Sequence, residues 1–172
     1  MKRLIRQLNQ TRQDYMFTGA LAVSYYGTPR TTMDIDVIVS VRGGNHGYLL
    51  HALREAQLYV NEQEFLHAQE TGYNIVTLRD TVSPYTVDLI LTKEPLEKNP
   101  CTILDQPTYI QTPESLILAK LRMMKATRDP ARLANDRNDI MSILRYTRVD
   151  TDEVRQRAEK EDTLHVLQTI LQ

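Results

Sequence analysis

The sequence has 172 residues, of which 41% are hydrophobic and 25% charged, as is ordinary for a folded globular protein. Its 21 Lys and Arg residues against 22 Asp and Glu residues give a formal net charge of -1, so no overall basic field favours nucleic acid binding. A single cysteine, Cys101, excludes an internal disulfide and cannot by itself form a thiolate metal site.

Nothing in the sequence indicates export or membrane insertion. Polar side chains interrupt the apolar positions of residues 1–14 at every turn, so this stretch lacks the apolar core of a signal peptide. No apolar run approaches the roughly 20 residues that a membrane-spanning helix needs. We therefore expect a soluble cytoplasmic protein that does not enter a membrane.

The first elements read as helix, strand, turn and helix. Helical spacing of apolar residues predicts a short amphipathic helix over Lys2–Gln10, and Tyr15–Thr18 follows as a short strand. Gly19 then opens a second helix, which ends at Gly27-Thr28-Pro29. The alternating β-branched residues of Ile35–Val41 predict a central strand covered on both faces, with two aspartates at its amino-terminal end.

The middle of the chain predicts one more helix and a hairpin. A helix is expected over Tyr48–Gln57, and the strands Tyr73–Leu78 and Tyr85–Leu91 flank a turn rich in Asp, Ser and Pro. These two strands are expected to pair antiparallel. The proline-punctuated segment Lys93–Ile110 is expected to hold a short helix and an extended piece.

The last third of the chain is expected to be helical. Thr112 at the cap position and Pro113 at the first helical position predict one helix start. A second helix follows Asp129-Pro130, and a third is expected over Asp152–Leu171.

The pair Asp34 and Asp36 is the first candidate for chemistry. In a strand, residues two apart point the same way, so the two carboxylates share one face and repel each other. Binding of Mg²⁺ or Mn²⁺ resolves this repulsion, because these ions prefer oxygen ligands. A shared proton, or an arginine partner such as Arg30 at a structural site, is the alternative.

Two further features surround the pair. The small residues Gly19 and Ala20 lie where a strand turns into a helix, so a phosphate can approach the backbone N–H groups there. Asp88, in the strand motif VDLIL, would supply a third carboxylate if its strand lies beside the first. Three such groups form a scaffold for phosphoryl or nucleotidyl transfer with two metal ions.

In order and spacing, FTGALA, DIDV and VDLIL resemble the nucleotidyltransferase superfamily that includes DNA polymerase beta and kanamycin nucleotidyltransferase. The resemblance implies that Asp34, Asp36 and Asp88 are catalytic and bind two Mg²⁺ or Mn²⁺ ions, and that Gly19 and Ala20 receive the triphosphate. It also implies a mixed, largely antiparallel sheet flanked by helices. Ala20 departs from the family pattern, which has glycine or serine there.

The stretch YYGTPRTTMDID, with the later TPESLILAKLRMM and NDRNDIMSIL, is similar to small prokaryotic nucleotidyltransferase-like proteins, including the abortive-infection toxin type. By this likeness Lys120 would approach the triphosphate and Asp139 would contribute to the catalytic site. Arg30 and Thr32 would contact phosphate. The resemblance spans roughly residues 15 to 145.

The fold expected from this likeness is an α/β (α+β) nucleotidyltransferase core over residues 1–111. A helical region over residues 112–172 would pack on that core in a single compact unit. The expected reaction moves a nucleoside monophosphate from a nucleoside triphosphate to a hydroxyl or phosphate acceptor, which could be a tRNA, a protein or a small molecule, and releases pyrophosphate. The alternative is a non-catalytic member that binds a nucleotide or a partner, such as an antitoxin or a second copy of the chain.

Each candidate also has a structural interpretation. Asp88 could cap a loop or pair with a nearby arginine, and Arg30 could form a structural salt bridge to an aspartate. A lysine among apolar residues, as Lys120 is, usually extends its ammonium to water. Asp136 and Asp139 share a helix with Arg132 and Arg137, which favours a solvated charge network.

Three other enzyme classes fit poorly. In phosphatases of the haloacid dehalogenase type the aspartates follow an apolar strand, whereas here they precede it. The sequence also lacks a glycine-rich Gly-Lys-Ser loop, and its histidines show no zinc-ligand spacing.

Overall fold

The structure is a computed structural model that describes residues 1–42, 46–70 and 74–171. Within these residues it contains eight helices and seven strands. The helices are α1 (Lys2–Gln10), α2 (Gly19–Tyr26), α3 (His46–Glu55), α4 (Glu62–Glu70), α5 (Pro113–Ala126), α6 (Pro130–Tyr146), α7 (Thr151–Lys160) and α8 (Leu164–Leu171). The strands are β1 (Tyr15–Phe17), β2 (Asp34–Ser40), β3 (Leu58–Tyr59), β4 (Ile75–Asp80), β5 (Thr86–Thr92), β6 (Lys98–Ile103) and β7 (Gln106–Gln111).

The chain divides into two compact units. The first comprises Met1–Leu21 and Thr31–Gln111, and the second comprises Ala22–Arg30 and Thr112–Gln172. The division passes through α2, so the helical second unit includes a segment from early in the chain as well as everything after Gln111.

The first unit is built on one seven-stranded sheet with the order β3-β4-β5-β2-β1-β7-β6. The pairs β2–β5 and β1–β7 are parallel and the other four pairs are antiparallel, which confirms the mixed, largely antiparallel sheet expected from the sequence. The predicted hairpin is β4–β5. Of its predicted first strand, Tyr73 lies outside the described residues.

The core of the first unit lies on one face of this sheet. Leu4, Ile5 and Leu8 of α1 pack there with α3 and α4 against the buried residues of β2, β4 and β5. Along β2, buried residues alternate with partly exposed ones, so only one face of this strand is fully covered. The prediction of a strand covered on both faces was wrong, because apolar Ile38 lies on the partly exposed face together with Asp36.

The second unit is formed by α5 to α8 and the end of α2. Helix α5 contacts α6, α7 and α8, and Leu116, Ile117 and Leu121 on α5 are almost completely buried. The side chain of Thr112 accepts a hydrogen bond from the backbone N–H of Ser115, so the predicted cap at the start of α5 is present. Among the described residues no helix is both long and apolar enough to cross a membrane.

Two predictions in the second half of the chain were wrong. Lys93–Ile110 contains no helix, because β6 and β7 form a hairpin through Leu104 and Asp105, both of which have positive φ. The helix predicted over Asp152–Leu171 is two helices, α7 and α8, separated where Asp162 adopts a φ of 53°. The sequence also gave no indication of β3 and α4.

Candidate functional site

Asp34, Asp36 and Asp88 lie on one face of the sheet. Strands β2 and β5 run parallel, and their register pairs Asp36 with Asp88 and Asp34 with Thr86. Because paired residues of adjacent strands point to the same side, the three carboxylates share the face opposite the core of the first unit. Asp34 is exposed and the other two are partly exposed, so the face is open to ligands.

Threonine hydroxyls hold two of the three carboxylates. Thr86 Oγ1 donates to Asp34 Oδ1 at 2.7 Å, and Thr77 Oγ1 on β4 donates to Asp88 Oδ1 at 2.6 Å. Thr32 bonds instead to the backbone of Asp34, donating to its carbonyl oxygen at 3.1 Å and accepting from its N–H at 3.2 Å. Thr32 therefore shapes the start of β2.

Gly19 brings the start of α2 against Asp36. Its φ is +59°, which favours glycine, and a Cβ atom there would overlap the carboxylate of Asp36. The backbone N–H of Thr18 donates to the carbonyl oxygen of Asp36 at 3.0 Å, which fixes the end of β1 beside β2. The carboxylate of Asp36 thus lies beside the first residue of α2, where the helix dipole stabilises negative charge.

The second unit contains a separate ionic cluster. Lys120 Nζ on α5 lies 2.8 Å from Asp136 Oδ1 and 2.7 Å from Asp139 Oδ2, both on α6. Arg30 Nη2 lies 3.2 Å from Asp139 Oδ2. The side chains of Lys120, Asp136 and Asp139 are only 10%, 13% and 7% exposed. Lys120 therefore does not extend its ammonium to water but is buried between two aspartates.

This cluster shows which residue Arg30 pairs with and whether Asp136 and Asp139 belong to a solvated charge network. Arg30 pairs with Asp139, and among the described residues Arg132 and Arg137 form no ion pair with Asp136 or Asp139. Asp136, which the sequence suggested only as part of a solvated network, is a full member of the cluster. Its position one helical turn before Asp139 was the available signal.

The three carboxylates share one face of the sheet but do not converge on a single point. Among the described residues, no group of three or more His, Cys, Asp or Glu side chains is arranged to hold a metal ion. Burial raises the pKa of the Cys101 thiol, which disfavours a thiolate. The assignment of catalytic, metal and nucleotide-binding roles to individual residues stays a prediction.

The family model for "Nucleotidyl transferase AbiEii toxin, Type IV TA system" matches residues 3–169. The chain belongs to this family. Membership places the chain among the nucleotidyl transferases and among the toxins of toxin–antitoxin systems. No curated protein matches the sequence of this AbiEii-family chain.

Solved structures show the same fold. The solution structure of the antibiotic-resistance factor ANT(2'')-Ia aligns with a TM-score of 0.57 and 11% identity, over 99% of this AbiEii-family chain and 88% of that chain. The crystal structure of ANT(2'')-Ia with adenylyl-2''-tobramycin aligns with a TM-score of 0.61 and 11% identity, over 99% and 96%. An antigenic nucleotidyltransferase-like protein from Paracoccidioides brasiliensis aligns with a TM-score of 0.50 and 12% identity, over 94% of this chain and 88% of that chain. At these identities the likeness establishes the nucleotidyltransferase fold.

Proposed function

We propose that the chain transfers a nucleoside monophosphate from a nucleoside triphosphate to a hydroxyl or phosphate acceptor, and that Asp34, Asp36 and Asp88 perform the chemistry. The observation that carries this proposal is the parallel register of β2 and β5, which aligns Asp36 with Asp88 on an open face. These carboxylates come from two strands about 50 residues apart along the chain. A purely structural role would not explain three acidic side chains together on one face of the sheet.

The reaction is an in-line displacement at phosphorus. An acceptor oxygen forms a bond to the α-phosphorus while the bond to the bridging oxygen of the β-phosphate breaks, and pyrophosphate leaves with that electron pair. With a hydroxyl acceptor, Asp88 is the proposed base that takes the proton. With a phosphate acceptor no proton transfer is needed.

The donor chemistry of the three aspartates fits Mg²⁺ or Mn²⁺. Carboxylate oxygens are the ligands that these ions prefer, and within the described residues Asp34 and Asp88 each keep one oxygen that accepts no hydrogen bond. Bound ions, in the proposal two, would neutralise the charge that develops on the transferring phosphate. The side chains of Asp34, Asp36 and Asp88 would hold them.

Gly19 and Ala20 are proposed to receive the triphosphate at the first turn of α2. The unpaired N–H groups of a helix start and the positive end of its dipole favour phosphate. Since Ala20 carries no hydroxyl, any hydrogen bonds there come from the backbone. Arg30, Thr32 and Lys120 are proposed as further nucleotide contacts, and Asp139 as the carboxylate that orients Lys120.

A second candidate is a non-catalytic member of the fold that binds a nucleotide or an antitoxin. The alanine at position 20 favours it, because the family pattern has glycine or serine there. The family description supports a toxin whose action is countered by an antitoxin. In the enzymatic proposal that toxicity results from nucleotidyl transfer.

The test is a labelling experiment with each α-labelled nucleoside triphosphate and total cell RNA or protein, with and without Mg²⁺. We expect one macromolecule or small acceptor to gain label only when the divalent ion is present, and Asp34→Asn and Asp88→Asn to lose at least about a hundredfold in rate. Growth inhibition on expression should be lost in the same variants. Wild-type labelling by both variants would overturn the role proposed for the aspartates. Toxicity without any labelled acceptor, unchanged in both variants, would favour the non-catalytic candidate.

A further inference from the structure

Two threonines contact the aspartates in a matching pattern. Thr77 and Asp88 are cross-strand neighbours on β4 and β5, and Thr86 and Asp34 are neighbours on β5 and β2. In both pairs a threonine hydroxyl donates to the Oδ1 atom, at 2.6 Å to Asp88 and at 2.7 Å to Asp34. Each bond therefore joins adjacent strands on the open face.

These bonds limit how the carboxylates can turn. A hydroxyl that donates to one carboxylate oxygen restricts rotation of the group. The second oxygen of each carboxylate is left for another ligand. In metal sites, partners that hold the ligating side chains in this way control the affinity for the ion.

We infer that Thr77 and Thr86 are positioning residues, which hold Asp88 and Asp34 for a divalent cation through hydrogen bonds to their Oδ1 atoms. This inference rests on the proposed function, because it assumes that the aspartates are cation ligands. The threonines do not contact the reacting atoms. They act by keeping one oxygen of each carboxylate engaged while the other is offered to the ion.

Threonine is common in strands, so its presence alone shows nothing. Thr92 lies on the same face of β5, but its hydroxyl oxygen accepts from the backbone N–H of Glu94 at 3.0 Å. Thr102, an exposed strand residue on β6, makes no side-chain hydrogen bond within the described residues. Of the strand threonines Thr77, Thr86, Thr92 and Thr102, the two that donate to a carboxylate, Thr77 and Thr86, are those beside the predicted metal ligands.

The test measures Mn²⁺ binding to the full chain, without nucleotide, by the spin resonance signal of the free ion. Thr77→Val and Thr86→Val keep the shape of the side chain and remove the hydroxyl, so each should weaken Mn²⁺ binding about tenfold. Thr77→Ser and Thr86→Ser restore a hydroxyl and should bind within about threefold of the wild type. The matched control Thr102→Val should bind Mn²⁺ as the wild type does.

The outcomes separate the two proposals. If both valine variants bind Mn²⁺ as tightly as Thr102→Val, the positioning role is overturned while the proposed function stands. If the wild type binds no Mn²⁺, or Asp88→Asn binds it as tightly as the wild type, the proposed function itself fails. Thr77→Ala, with circular dichroism on every variant, repeats the comparison if a valine variant does not fold.

A purely structural role would give a different result. The valine variants would then lose unfolding free energy while their Mn²⁺ affinity stayed at the wild-type level. The serine variants would likewise bind Mn²⁺ as the wild type does. Under the inference, the metal concentration needed for half-maximal labelling rises together with the Mn²⁺ dissociation constant. Urea unfolding of Thr77→Val and Thr102→Val provides the matched stability comparison.

Discussion

The carboxylate of Asp36 occupies the space that a Cβ atom on Gly19 would need. Gly19 also has a φ of +59°, so two independent features of this position require glycine. The contact joins the start of α2 to the strand that carries two of the three aspartates. A side chain at position 19 would therefore disturb both the backbone and the candidate site.

Gly19→Ala is expected to reduce the unfolding free energy by about 1–2 kcal/mol, because alanine is strained at this φ. It should also abolish nucleotide-dependent labelling, since the new methyl group displaces Asp36. The matched control is Gly47→Ala in α3, where an added Cβ meets nothing within 4 Å. That change should leave stability unchanged or raise it by up to about 1 kcal/mol. Urea unfolding measures the stability of both variants, and an equal loss of unfolding free energy in Gly19→Ala and Gly47→Ala would contradict the prediction.

Lys120→Met should be strongly destabilising, because it leaves the largely buried Asp136 without its cationic partner. It also removes one of the two cationic partners of Asp139, which then pairs with Arg30 alone. Removing one partner from a buried ion pair costs about 3–5 kcal/mol. Lys125→Met is the control, since Lys125 pairs with the 86% exposed side chain of Asp162 and should lose no more than about 1 kcal/mol.

The double variant Lys120→Met/Asp136→Asn tests whether that loss is electrostatic. Neutralising Asp136 removes most of the unpaired charge, so part of the lost stability should return. Chemical unfolding of the single and double variants measures the recovery. A double variant no more stable than Lys120→Met would show that the unpaired charge of Asp136 does not account for the loss.

Asp80 should make stability depend on pH. Burial by itself would raise the pKa of Asp80, but hydrogen bonds from the backbone N–H of Val82 and from Ser83, together with the charge of Arg3, lower it below its ordinary value of 3.8. Arg3 Nη2 lies 2.9 Å from Asp80 Oδ1. A pKa lowered by folding contributes stability that is present above 3.8 and is lost as the pH falls below that value.

We therefore expect Asp80→Asn to cost about 1–2 kcal/mol of unfolding free energy at pH 7, and the difference from the wild type to shrink as the pH falls below about 4. Asp105→Asn removes the same charge from a side chain that is 97% exposed, and should change stability little at any pH. Urea unfolding across this pH range is the measurement. A constant difference between Asp80→Asn and the wild type would be evidence against the pH dependence.

The β6–β7 turn should tolerate a more favourable sequence. Leu104 and Asp105 have φ values of 50° and 58° and form the two-residue loop between Ile103 and Gln106. Turns with two positive φ values prefer Asn-Gly. Replacing Leu104-Asp105 by Asn-Gly should raise the unfolding free energy by about 1 kcal/mol without affecting Mn²⁺ binding. A lower melting temperature would contradict the assigned turn.

This turn also shows where sequence reasoning failed. Leu-Asp carries no hairpin signal, and Pro100 and Pro107 in the flanking segments are unusual within strands. Pro100 is accommodated because β6 is an edge strand of the sheet. By contrast, Thr112-Pro113 and Asp129-Pro130 predicted the starts of α5 and α6 correctly, because capping depends on residues a few positions apart.

The sequence by itself determined that Asp34 and Asp36 share a face, since the two-residue period of a strand is a local property. It also determined the order of the motifs and, through them, the expected fold. Only the tertiary structure decided that Asp88 pairs in register with Asp36 and that Asp136 forms an ion pair with Lys120. It also decided that Thr77 and Thr86 hydrogen-bond to the carboxylates of Asp88 and Asp34. Strand register and the packing of α5 on α6 bring these groups together, and neither is encoded in the spacing of a short segment.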